Sequence, residues 1–367
     1  VTYLLLVQIS IDDFILSLLI VILYSLTKYS TVLSEYLEMT TILNHRIGPV
    51  GYGLMGLTRP MDPPPLDQSF AAMNAALSSG ANYWNGGEFY GTPDRNTLHL
   101  LKDYFSKYPE KASQILLCVK GGRTPGTIEF DGTEAGARRS VDECIRVLDG
   151  KKSLDIFEYA RVDPNTPIEE TIRVLGKLVQ EGKIKGIGLS EVRAETIRRA
   201  VKVHPIVQVE VELSLWSTDI LRNGVAETCA ELGIPIIAYA PLSRGGLTAA
   251  IPTKNSELPV HLRVFARFQD DVLQANLRLT KEVEKLAKRK GCTTPQIAIT
   301  WVRRLSRRNG LGVIIPIPGA EREEWVVENC KDVKLSEEEM QELDEIVRGM
   351  PIVGQRYGGE IEKLNEG

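Results

Sequence analysis

From residue 47 onward short apolar runs alternate with amphipathic stretches, and this alternation constrains the fold more than any single motif does. The strand-like runs are GYGLMGL (51–57), ANYWNGG (81–87), ILLCVKGG (115–122), LDIFEYARV (154–162), KGIGLS (185–190), VQVEVELS (207–214), PIIAYAPL (235–242) and GVIIPIPG (312–319). Helix-like segments lie between them at 67–79, 94–107, 134–148, 167–181, 193–202, 219–232 and 271–290 with 294–305, and a last one at 320–330 follows the final strand. In SFAAMNAALSSG the apolar side chains of Phe70, Met73, Ala76 and Leu77 recur at helical spacing before Gly80 ends the element. Eight strands alternating with eight helices predict an α/β fold of the (β/α)8 TIM-barrel type over 43–350. LSEEEMQELDEIVRG (335–349), acidic in its first turn, reads as a closing helix, and 351–367 as a C-terminal tail.

GYGLMG at 51–56 has the G-x-G-x-x-G spacing of a dinucleotide-binding loop. That loop must open a helix whose N–H groups face a pyrophosphate, whereas here Pro60 and Pro63 to Pro65 follow almost at once. The stretch is instead expected to be a buried strand whose glycines admit a close neighbour.

With 43% apolar and 25% charged residues and a net charge of −4, the chain has a globular composition and no general electrostatic reason to bind nucleic acid. Its five cysteines are scattered and without C-x-x-C spacing, which argues for a reducing, cytoplasmic setting and against a disulfide frame. The four histidines form no ligand array, so no metal is expected. Residues 14–27, FILSLLIVILYSLT, are uncharged but shorter than the roughly 20 residues of a spanning helix. Asp12 and Asp13 precede them, unlike the positive start of a secretory signal. Residues 1–42 are therefore expected to stand outside the barrel, as a membrane-associating helix, a helix packed on the protein, or an extension absent from its mature form.

Barrel chemistry collects at the C-terminal ends of the strands. After the second strand comes WNGGEFYG, with Tyr90, and the third ends at Lys120-Gly121-Gly122. A tyrosine and a lysine converging on one mouth suggest a proton donor and a neighbouring ammonium that lowers its pKa toward working pH. The loops after strands seven and eight, PLSRGGLT (241–248) and IPGAEREEWVVEN (317–329), stand where barrels commonly bind phosphate.

Eight motifs in order, GYGLMGLT, ANYWNGGEFYGTP, VKGG, ARVDPNTPIEETI, KGIGLSE, AYAPLSRGGLT, TPQIAITWV and IPIPGAEREEWVVEN, resemble the aldo-keto reductase superfamily over about residues 46 to 350. Within it the chain is most similar to the fungal pyridoxal reductases, which reduce pyridoxal to pyridoxine with NADPH. The resemblance implies that Tyr90 is the general acid and that Lys120 lowers its pKa. It further implies that Tyr239 stacks on the nicotinamide, that Ser190 holds its carboxamide, and that Leu242, Ser243 and Gly245 touch the pyrophosphate. Gly319, Arg322, Glu328 and Asn329 would surround the adenosine, with Arg322 suited to the 2′-phosphate of NADPH.

The departures are as informative. Of the superfamily's Asp, Tyr, Lys and His, the Asp position reads Asn85 and the His position Ala160, while its carboxamide-binding Asn and Gln correspond to Glu191 and Glu210. Asn85 is expected to hydrogen-bond Lys120 without offsetting its charge, so that the lysine acts more strongly on Tyr90. Ala160 leaves room in the pocket, with Glu158 and Arg161 beside it to orient substrate and Trp84 as a possible lining residue. Two alternatives stand beside pyridoxal reduction: a reductase of another aldehyde or ketone, and an NADPH-binding regulatory subunit with little turnover, for which a membrane contact through 14–27 could be cited.

Overall fold

The computed structural model describes residues 40–248, 251–358 and Glu362. The apolar run 14–27 lies outside the described residues. By compactness the chain divides into Val1–Thr41 and Ile42–Gly367, and the barrel belongs to the second unit.

Eight parallel strands form one sheet in chain order: β1 (Tyr52–Gly53), β2 (Tyr83–Gly87), β3 (Leu116–Gly121), β4 (Ile156–Tyr159), β5 (Gly186–Ser190), β6 (Gln208–Glu212), β7 (Ile236–Tyr239) and β8 (Ile314–Pro316). The sheet curls until its edges meet. Gly53 bridges Gly319 in parallel, and the Gly51 N–H donates to the Pro316 carbonyl at 2.9 Å. Two glycines of GYGLMG serve this seam: a Cβ on Gly53 would stand 2.9 Å from the Ile317 carbonyl oxygen, and one on Gly51 2.8 Å from the Ile317 Cγ2. The predicted (β/α)8 barrel is the observed fold, and the glycine fingerprint is a device for closing it.

The helices are α1 (Leu66–Ser78), α2 (Thr97–Lys107), α3 (Glu134–Leu148), α4 (Ile168–Gln180), α5 (Ala194–Ala200), α6 (Val225–Glu231), α7 (Asp270–Lys290), α8 (Thr294–Leu305), α9 (Glu323–Cys330) and α10 (Glu337–Gly349). Local signals explain several ends. Asn96 caps α2, which delays its start past the expected residue 94, and Ser336 with Glu339 forms a capping box on α10. The expected helix over 219–232 is broken: Asp219–Leu221 is a 3₁₀ turn, and α6 begins only after Gly224, whose φ of 86° lies in the left-handed region. Among the described residues no helix is long and apolar enough to cross a membrane.

Strand alternation divides the core. Outward side chains such as Trp84, Leu117, Val119, Phe157, Val209 and Val211 join the large apolar layer beneath the helices. Inward side chains form a smaller cluster of Tyr83, Leu116, Cys118, Ile156, Ile237, Ile315 and Ile317, completed by Ile42 and Ile47. Above it toward the mouth the interior becomes polar, with Asn85, Lys120, Glu158, Gln208 and Glu210 all buried.

Candidate active site

Parallel register sets Gly87 at the end of β2 beside Lys120 on β3, and Lys120 beside Glu158 on β4. The Tyr90 ring folds back onto Gly87, where a Cβ would meet it at 2.9–3.0 Å, so glycine at this position lets the phenol lie over the strand end. Tyr90 and Lys120 thus face each other's charge, as the strand ends suggested.

The electrostatics differ from expectation. Burial raises the Tyr90 phenol, the Lys120 ammonium pulls it down, and Glu210 and Glu158 push it up again, leaving it at about 12. The lysine therefore acts with the expected sign but does not win, and the phenol keeps its proton at neutral pH. The expected Asn85–Lys120 hydrogen bond is replaced by another arrangement. The Lys120 Nζ is paired with Glu210 Oε1 and lies 3.5 Å from Glu158 Oε1. The Asn85 Nδ2 donates instead to Glu210 Oε2 at 2.6 Å. Burial alone would lower Lys120, but Glu210, Tyr90 and Glu158 hold it well above the usual lysine range.

Glu158 sits fully buried one layer below Ala160, accepting from Gln208 Nε2 at 2.7 Å, and belongs to the interior rather than to the rim. Burial, then the Glu210 charge, raises its carboxyl to about 8. Trp84 also departs from its expected place. Its ring faces outward into the helix-facing layer against Tyr104 and Phe105, with Nε1 donating to the Ala81 carbonyl at 2.8 Å, so it does not line the mouth. Arg161 does reach the rim, its guanidinium 5.9 Å from the centre of the Tyr357 ring.

On the cofactor side, Ser190 ends β5 with its Oγ fully buried and without a hydrogen-bond partner among the described residues. An orphaned hydroxyl at this position fits an amide group of a ligand. Tyr239 ends β7 half-buried, and the Lys120 Nζ lies 5.2 Å from its ring centre. The β7 loop turns sharply, with Ser243 and Arg244 at φ 50° and 57°. The Ser243 and Gly245 N–H groups donate to the Ala240 and Leu242 carbonyls at 2.8 and 2.9 Å, so these amides close the loop on itself rather than pointing outward as a phosphate cradle would. At the far end Gly319 borders the seam, and Arg322 is exposed with its guanidinium 5.0 Å from the Trp325 ring centre. Glu328 accepts from Thr293 Oγ1 at 2.5 Å, and Asn329 is buried. Gly319 and Arg322 lie in the loop before α9, and Glu328 and Asn329 in its last turn.

The C-terminal tail is the part sequence reasoning missed. Arg356 is buried at the mouth, donating to both Glu191 oxygens at 3.0 and 2.7 Å, and it lies 3.9 Å from Glu212. The Tyr357 hydroxyl meets that of Tyr239 at 2.8 Å, and the Arg244 guanidinium stands 4.6 Å from the Tyr357 ring centre. Arg244 itself pairs with Glu212 at 2.9 Å. Burial would raise Glu191, but Arg356 holds it below the usual carboxylate range, so the residue at the carboxamide-binding Asn position is an anion with a partner of its own. Two arginines, Arg244 and Arg356, and two acids, Glu191 and Glu212, meet at one mouth and carried no motif that could have announced them.

The model of the aldo/keto reductase family matches residues 49–348. A Schizosaccharomyces pombe protein named probable pyridoxal reductase 2 is 41% identical over 333 residues, covering 88% of this chain and 98% of its own. A Saccharomyces cerevisiae protein provisionally named a pyridoxal reductase is 35% identical, covering 84% and 95%. Among solved structures, a glycerol dehydrogenase from Gluconobacter oxydans superposes with a TM-score of 0.74 at 23% identity, over 85% of this chain and 96% of its own, a likeness of fold.

Proposed function

The chain belongs to the aldo/keto reductase family, and from that premise we propose that it reduces pyridoxal to pyridoxine with NADPH. The observation that carries the reading is the meeting of Tyr90 and Lys120 at one barrel mouth, beside the unpartnered Ser190 hydroxyl. The family typically works with NADH or NADPH. Most of the residues present fit such a group: Ser190 would hold the carboxamide, Tyr239 would face the nicotinamide, and Gly319, Arg322, Glu328 and Asn329 would border the adenosine, while Leu242, Ser243 and Gly245 would lie beside the pyrophosphate without offering it the Ser243 and Gly245 amides. Arg322 is exposed and offers a planar fork to a 2′-phosphate, which favours NADPH. The chemistry supplied by bound cofactor is a hydride for the carbonyl carbon.

The chain's own residues handle the proton. A phenol held at about 12 is loaded at neutral pH, and it still gives its proton to the stronger base that a carbonyl oxygen becomes as carbon is reduced. Lys120, kept charged chiefly by Glu210, would stabilise the phenolate that remains. Alanine in place of an imidazole at position 160 would leave room for a substituted pyridine ring, and Arg161 at the rim would orient the substrate's hydroxyl groups.

The test is NADPH oxidation by the full chain with pyridoxal and a panel of simple aldehydes. Preference for pyridoxal is the expected outcome. Turnover confined to other aldehydes would move the substrate, and tight NADPH binding without turnover would favour a cofactor-sensing role.

A further inference from the structure

The lysine at this mouth has a counter-charge, and it comes from an unexpected strand. Asn85 is neutral and points its amide at Glu210, while both Glu210 oxygens are engaged, one by Lys120 and one by Asn85. Glu210 is fully buried on β6, in register with Ser190 on β5 and Ile237 on β7. Opposite it, Glu158 approaches Lys120 at 3.5 Å, yet its Oε1 makes no hydrogen bond among the described residues. We propose that Glu210 is a positioning residue of the reaction, supplying from the sixth strand the negative charge that fixes Lys120 beneath Tyr90, while Glu158 sits next to it as a neutral acid.

The physical case rests on charge balance in a closed space. A buried ammonium with no anion is strongly destabilising, and Asn85 contributes only a dipole. One carboxylate balances it, whereas two would leave an uncompensated negative charge among buried groups. The groups facing the pair from the surrounding strands are Tyr83 and Asn85 on β2, Cys118 and Lys120 on β3, Gln208 on β6, and Tyr90 above. Lys120 is the cation among those groups, so the cluster holds one anion in balance, and the elevated carboxyl of Glu158 is consistent with its being the acid that keeps a proton. Glu210 also acts on Tyr90 directly, opposing the lysine and keeping the phenol protonated. Its engagement below the mouth removes it from the carboxamide-binding role implied by its position.

The inference rests on the proposed partnership of Lys120 with Tyr90, and it is tested by moving the charge. In full-length protein, Glu210→Gln should lower the melting temperature by several degrees. It should also cut kcat at least tenfold, on whichever aldehyde the wild type reduces, with NADPH affinity within about twofold. Adding Asn85→Asp to that variant returns a carboxylate to the second strand and should recover both properties. Asn85→Asp alone places a third acid against one ammonium and should lower both, which keeps the inference testable if Glu210→Gln does not fold. A Glu210→Gln protein with wild-type melting temperature and kcat, a double variant no better than the single one, or an Asn85→Asp single variant improved in both would each overturn it. Full turnover by Tyr90→Phe would instead remove the catalytic reading, leaving the melting temperatures to decide the ion pair.

Discussion

Trp84 and Asn85 are neighbours in the chain and sit in opposite surroundings. Trp84 faces outward into a layer of aromatic and aliphatic side chains, whereas Asn85 faces inward onto a carboxylate that holds a lysine. The same contrast repeats at Val119 and Lys120, Phe157 and Glu158, and Val209 and Glu210. The outer face is apolar and interchangeable in kind, so it specifies the barrel. The inner face near the mouth carries polar groups that each need a particular partner, and that is where chemistry is concentrated.

The sharpest way to break this contrast is at the mouth. Tyr90→Phe should reduce kcat by about a thousandfold while leaving NADPH binding within about twofold, as judged by quenching of protein fluorescence. A loss of that size with no change in stability would separate the inner face from the outer one. Next in size is Trp84→Ala, which removes a fully buried ring and should cost about 3–5 kcal/mol in denaturant unfolding. Its activity per folded molecule should stay close to wild type, and a specific loss of kcat would place Trp84 functionally with its neighbour after all.

A pH series sharpens the comparison further. Glu158 has a folded carboxyl raised from 4.5 to about 8, so folding takes up a proton there. Its contribution to stability is fully present below pH 4.5 and is lost as pH rises to about 8, beyond which the loss is level. Glu158→Gln retains a neutral side chain throughout, so its melting temperature relative to wild type should climb across that window and then run parallel. An unchanged difference from pH 5 to 9 would mean that Glu158 does not titrate there. The smallest effect belongs to the exposed far end of the site. Arg322→Ala should weaken NADPH by about tenfold and leave NADH nearly untouched, measured by titration of each.

Much of the outer face was legible in the chain because hydrophobic period is a local signal. The order of eight strands and the presence of α8 and α10 follow from it. Tyr90 and Lys120 were legible for a related reason, since adjacent parallel strands bring their ends together. Strict two-residue alternation would also have turned Trp84 outward once Asn85 was placed inward. The pairings that were hidden lie far apart in sequence: Lys120 and Glu210 are separated by 90 positions, and Glu191 and Arg356 by 165. Register across several strands brings the first pair together and a returning tail the second, and neither leaves a local mark. The net lift of Tyr90 was hidden with them, because it comes first from burial in the folded barrel, with Glu210 and Glu158 adding to it.

The seam between β1 and β8 has a consequence for how the molecule is made. The Tyr52 hydroxyl donates to the Ala320 carbonyl, 268 residues later, so the first strand leaves the ribosome long before its partner exists. A growing chain can stack strands and helices in order, yet it carries an open edge until β8 emerges. Arg356 arrives later still. Nascent protein should therefore depend on chaperone shelter until synthesis is nearly complete, and ribosomes stalled before Gly319 should release chains that aggregate rather than bind nucleotide.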